Sequence, residues 1–153
     1  LEEVKGALAQ IPRDYRLILF HCSSAYPTPP ESANLSSLVS LEMLLNDMGF
    51  TNYDLGWSDH TRNPGIINRA YHKFDIKHCE LHYDLSDQKG YEFSAGHCWT
   101  PEELKQLSHS VKIGVEADGK LLKSTNAVEE SDRLWRTDPI DGLRPFQIIR
   151  DSF

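Results

Sequence analysis

The chain has 153 residues, 39% of them hydrophobic and 25% charged, with 16 lysines and arginines against 23 aspartates and glutamates for a net charge of −7. That is enough sequence for a soluble globular domain with a real core, and the acidic balance argues against nonspecific binding to nucleic acid or anionic membrane surfaces. No apolar run approaches the roughly 20 residues of a membrane span, and the acidic start Leu1-Glu2-Glu3 is unlike a secretory leader.

Leu1, Val4, Leu8 and Ile11 recur at helical spacing and predict an amphipathic helix that Pro12 ends. Leu17-Ile18-Leu19-Phe20 is a continuous apolar run, the pattern of a strand buried on both faces. It leads into His21-Cys22-Ser23-Ser24-Ala25-Tyr26-Pro27-Thr28-Pro29-Pro30, a polar, proline-rich loop at a strand end, where chemistry tends to sit. A helix is predicted over Asn34 to Met48, with Leu35, Leu38, Val39, Leu41, Leu44, Leu45 and Met48 as its apolar stripe and Gly49 as its stop. A strand around Tyr53–Trp57 follows. Pro64 then opens a helix carrying Ile66, Ile67, Ala70, Tyr71 and Phe74, and the strand Ile76–His82 comes next. Thr100-Pro101-Glu102-Glu103 reads as a capping box with proline at the first helical position, and Leu104, Leu107 and Val111 are the buried positions of that helix. The tail from Asp118 is polar and irregular. Alternating strands and helices mean an α/β fold with parallel strands. Three strands alone leave two exposed sheet edges, and the chain lacks an initiator methionine. It is expected to begin inside a longer protein.

Side chains on a strand alternate faces with period two. Gly56, Ser58 and His60 therefore share one face, as do His78, Glu80 and His82, while Asp59 points the other way into a structural role. Two neighbouring parallel strand ends that each offer a histidine beside a hydroxyl or carboxylate can form an open metal site. Singly, either histidine reads as an ordinary surface or hydrogen-bonded residue. Cys22, Cys79 and Cys98 are three in number with no CxxC spacing, which reads as reduced thiols in a cytoplasmic protein. Cys98 follows His97, but adjacency in sequence is not the geometry that activates a thiolate, so Cys98 reads as a packed thiol.

With those residues laid out, the chain resembles the sialic acid (N-acetylneuraminate) synthase family. Leu17 to Pro29 is similar to that family's sixth barrel strand and its loop, Trp57-Ser58-Asp59-His60-Thr61 to the end of the seventh, and Glu80-Leu81-His82 to the eighth. Thr100-Pro101-Glu102-Glu103-Leu104 is similar to the closing helix. The resemblance covers roughly residues 1–115 and implies a partial (β/α)8 barrel, strands six to eight with their helices, over residues 1–117, with an irregular or helical tail over 118–153. It implies a carbon–carbon bond-forming transferase of carbohydrate biosynthesis. Such an enzyme condenses phosphoenolpyruvate with an N-acyl amino sugar such as N-acetylmannosamine, and phosphate leaves.

By the same resemblance, His60 and His82 hold a divalent ion, Mn2+ or Mg2+. Ser58 and Ser24 contact phosphoenolpyruvate, Tyr26 lines the sugar pocket and has a catalytic part, and Glu80 orients a ligand or water. Where the family often has Gly-Pro-Asp, this chain has Gly90-Tyr91-Glu92, so Glu92 is expected to take the aspartate's place toward the sugar. The family's dimers imply a homodimer. Its first five strands and C-terminal domain are not in the chain, so this polypeptide alone is expected to be inactive. The alternatives are a synthase for another nonulosonic acid, of legionaminic or pseudaminic type, and a noncatalytic barrel fragment or binding module.

Overall fold

The computed structural model describes residues 1–85, 87–122 and 124–153. In chain order the first unit runs α1 (Glu2–Leu8), β1 (Leu17–Cys22), α2 (Ser37–Asp47), β2 (Tyr53–Asp59), α3 (Pro64–Phe74), β3 (His78–Leu81) and α4 (Pro101–Asp118). Contacts divide the chain into two compact units, Leu1–Asp118 and Gly119–Phe153. Among the described residues no helix is long and apolar enough to cross a membrane.

The three strands are parallel and ordered β1-β2-β3. Each pair of neighbours is joined by a helix, the arrangement of consecutive strands in a (β/α)8 barrel. The register aligns Phe20 with Gly56 and Gly56 with His78, then Cys22 with Ser58 and Ser58 with Glu80. One sheet face therefore carries the rows Phe20/Gly56/His78 and Cys22/Ser58/Glu80. The opposite face carries Leu19, Leu55, Trp57, Cys79 and Leu81, which join a core with Leu38, Leu41 and Leu45 of α2, Ile67 and Ala70 of α3, and Leu107 of α4. β2, the middle strand, is buried from Leu55 to Asp59.

Several boundaries are tighter than the sequence predicts. Asn34 takes a left-handed backbone (φ 45°) and its amide donates to Ser37 Oγ at 2.7 Å, so α2 begins at Ser37. Val39 is 47% exposed and stands outside the stripe that buries Leu38, Leu41 and Leu45. Gly49 stops the chain behind α2 with φ 80°. α1 ends at Leu8, three residues short of Ile11, and β3 spans only His78–Leu81, leaving His82 just beyond it. Asn63 caps α3 by accepting from Gly65 N–H at 2.9 Å, with Pro64 in the first turn. The Thr100–Glu103 capping box forms as predicted: Glu103 accepts from Thr100 N–H at 2.9 Å, and Glu103 N–H approaches the Thr100 hydroxyl at 3.5 Å.

The second unit holds two single 3-10 turns, Ala127–Glu129 and Arg133–Trp135, and the short helix α5 (Gln147–Arg150). Its organising group is the buried Asp138 carboxylate, which accepts from Ile140 N–H at 2.9 Å and Gln147 N–H at 2.8 Å. Arg150 pairs with Asp141 beside it.

Candidate active site

The C-terminal ends of the strands are shaped by the buried carboxylate of Asp59. It accepts from Trp57 Nε1 (3.1 Å), Thr61 N–H (3.2 Å), Thr61 Oγ1 (2.6 Å) and Arg62 N–H (3.1 Å), folding the chain sharply after β2. That turn leaves His60 on the side of the Ser58 row, 3% exposed. His60 Nδ1 lies 3.0 Å from the Ser23 carbonyl oxygen. A carbonyl only accepts, so Nδ1 carries the proton and Nε2 keeps a free lone pair. The Ser23 loop is tied down in turn: Thr28 N–H donates to the His60 carbonyl at 2.8 Å, and Thr28 Oγ1 donates to the carbonyls of Ser23 and Ala25 at 2.8 Å each.

His82 repeats the pattern. Its Nδ1 lies 3.0 Å from Glu92 Oε2, so the ring N–H is held by a carboxylate and Nε2 is left open. The two imidazole centroids are 5.0 Å apart. Tyr26, half-exposed, lays its ring 4.2 Å from His60 and 5.6 Å from His82. One row down, Ser58 Oγ donates to Glu80 Oε1 at 2.7 Å. Ser24 is exposed, with its hydroxyl 3.6 Å from Cys22 Sγ, which is itself 4.0 Å from His60 Nδ1. Thus Tyr26, His60, His82 and Glu92 converge, Ser58 and Glu80 meet each other beneath them, and Ser24 sits to the side by Cys22.

Sequence reasoning missed His97. It is 3% exposed, and neither ring nitrogen meets a hydrogen-bond partner among the described residues. Its centroid is 4.6 Å from His82, 5.1 Å from Tyr26 and 6.4 Å from His60. Burial first, then the neighbouring His82, holds His97 below the ordinary histidine range. The segment that delivers it runs beside the exit of β3: Trp99 N–H donates to the His82 carbonyl and Asp84 N–H to the Trp99 carbonyl, both at 2.8 Å. The signal was present in the capping box. A helix after a barrel strand starts at that strand's C-terminal end, so a residue three before Thr100 lies at the same end as His82.

His82, Glu92, His97 and Cys98 each offer a donor atom, all within 4.8 Å of one another. Cys98 is a buried thiol pushed up by burial and by Glu92 and Asp84, which is the reverse of an activated nucleophile. Cys79, in the core, is pushed up to about 12 by burial. The donor set at the strand ends, imidazoles whose Nδ1 atoms are tied to a carbonyl or a carboxylate, fits a divalent ion.

A family model described as the NeuB family matches residues 1–123. Among curated relatives, the chain is 27% identical over 147 residues to the spore coat polysaccharide biosynthesis protein SpsE of Bacillus subtilis, covering 86% of this chain and 37% of that protein. It is 42% identical over 100 residues to an uncharacterized protein of Methanocaldococcus jannaschii, covering 63% and 26%. It is 30% identical over 118 residues to the N,N'-diacetyllegionaminic acid synthase of Campylobacter jejuni, covering 76% and 32%. The crystal structure of an N-acetylneuraminic acid (sialic acid) synthetase from Leptospira borgpetersenii superposes with a TM-score of 0.54 at 25% identity, covering 81% of this chain and 41% of that one. The chain thus spans between about a quarter and two fifths of the length of the curated relatives it matches. Its three parallel strands with crossover helices are part of a (β/α)8 barrel, and the chain belongs to the NeuB family.

Proposed function

We propose that this chain supplies the C-terminal strand ends of a nonulosonic acid synthase that joins phosphoenolpyruvate to an N-acyl amino sugar and releases phosphate. The observation that carries the reading is the pair His60 and His82, 5.0 Å apart, each with Nδ1 tied off and Nε2 turned free. These two residues would hold a divalent ion, Mn2+ or Mg2+, which when bound supplies Lewis acidity toward the sugar's aldehyde oxygen. Ser58 and Glu80 act as one unit: the hydroxyl donates to Oε1, which fixes the carboxylate and leaves Oε2 to orient a substrate hydroxyl or a water. Ser24 and, when its hydroxyl turns from Glu80 to the ligand, Ser58 are assigned to phosphoenolpyruvate. Tyr26 offers the sugar an apolar wall beside His60. Glu92 holds His82 in its tautomer and extends its second oxygen toward the sugar.

A legionaminic-type acid is the second reading, favoured by the 30% identity to the N,N'-diacetyllegionaminic acid synthase. Glu92 in place of the family's usual aspartate reaches one methylene further and would alter which acyl sugar fits.

The test is phosphate release from phosphoenolpyruvate by the complete synthase that carries this sequence, with N-acetylmannosamine and with a diacetamido sugar, in the presence of Mn2+. Release that requires the sugar, and a fall of about a hundredfold or more in His60→Ala and His82→Ala at unchanged circular dichroism, is the expected outcome. Normal turnover by either variant in metal-free buffer overturns it.

A further inference from the structure

Resting on the reading of His60 and His82 as ligands of one divalent ion, we propose that His97 is a third imidazole ligand of that ion. His97 is the buried polar side chain nearest this centre that the rest of the fold leaves unused. Both of its ring nitrogens are sealed from solvent and meet no hydrogen-bond partner among the described residues. A neutral imidazole buried that way costs about 1–3 kcal/mol for each unmade bond, so such a side chain calls for an occupant. The neighbours that define the space are His82, Glu92 and Tyr26, with His60 beyond them.

The ring spacing stays within the limit for a shared ion, with the donor atoms of His82, Glu92, His97 and Cys98 already within 4.8 Å of one another and His60 outside that group. With metal–nitrogen bonds of about 2.1 Å, a ligating imidazole has its centroid about 3.3 Å from the ion, so two rings on one ion are at most about 6.6 Å apart. The three pairs here measure 5.0 Å (His60–His82), 4.6 Å (His82–His97) and 6.4 Å (His60–His97). Glu92 stands between two of them, with Oε2 at 3.0 Å from His82 Nδ1 and 3.9 Å from His97 Nε2. The carboxylate therefore accepts the ring proton of His82, as second partners of ligating histidines do, and only approaches His97. Cys98 Sγ lies in the same 4.8 Å group and, being a sulfur, adds nothing to a count of coordinated nitrogens. Three nitrogens make the centre softer than two, favouring Co2+ and Zn2+ over Mg2+.

Pulsed electron paramagnetic resonance on the metal-stripped complete synthase that carries this sequence, reloaded with Mn2+ alone, counts the coordinated nitrogens directly. Three imidazole nitrogens in the unsubstituted protein and two in His97→Phe, with a loss in Mn2+ affinity of about tenfold or more by calorimetry, support the proposal. Two nitrogens in the unsubstituted protein overturn it and leave the two-histidine reading standing. No nitrogen coupling at all overturns both. The count on the unsubstituted chain decides the matter even if His97→Phe fails to fold.

Discussion

Asp59 organises the candidate site although it points away from it. Its carboxylate accepts four hydrogen bonds, and the turn they fix is what sends His60 back over the Ser58 row. Asp59→Ala would leave buried donors, the Trp57 indole N–H among them, without acceptors, at a cost of about 3 kcal/mol. For a chain of this length that lowers the thermal midpoint by roughly 6–12 °C. Calorimetric unfolding checks this, and an unchanged midpoint rules the carboxylate out as the organiser. At the same scale, Ser58 and Glu80 were legible because strand periodicity assigns faces without any tertiary information, whereas His60 and His82 lie one residue past β2 and β3, where the turn sets the side chain. His97 was not legible that way. It lies in a loop with no period to read, and only the return of Trp99 alongside His82 brings it in.

Gly56 shows how the elements constrain one another. A Cβ added there would lie 2.6 Å from two ring carbons of Phe20 on β1 and 3.1 Å from the His78 carbonyl on β3. The Phe20 ring thus lies across β2 where no side chain stands. Gly56→Ala is expected to cost about 1–3 kcal/mol by overpacking. In a Phe20→Val background the same change should cost at least about 1 kcal/mol less, a coupling that urea unfolding of the four proteins resolves. Strict additivity would mean the ring is not what excludes a side chain at Gly56. Element order and the parallel sheet were readable from alternating apolar runs and helical periods. The ends were less so. α2 starts at Ser37 because a local hydrogen bond, Asn34 to Ser37, overrides the apolar pattern, and β3 stops at Leu81 because its partner Asp59 is the last residue of β2.

Across the whole first unit, the loop after β2 is held to the start of α4 by Arg62 and Glu103, 2.6 Å apart. Burial pushes the Glu103 carboxyl up, but hydrogen bonds from the Thr100 N–H and hydroxyl and from Arg62 outweigh it, and the group sits below its ordinary value of 4.5. A carboxyl lowered by folding contributes stability that is fully present above its unfolded value and is lost as pH falls through its folded value. Glu103→Gln should therefore be less stable than the unsubstituted chain near pH 7, with the gap closing as pH drops below about 4.5. Urea midpoints across that range test it, and a gap independent of pH refutes it.

The strap from Ser23 to Thr28 gives the site one more property. Thr28 N–H holds the His60 carbonyl, and the Ser23 carbonyl holds the His60 ring. The residue that anchors the loop is the residue the loop aims. A ligand on His60 Nε2 and an ordered strap are therefore reciprocal: each raises the equilibrium constant of the other by the same factor. Affinity at the strand ends becomes a reading of how well a proline-rich loop that begins 37 residues before His60 is closed.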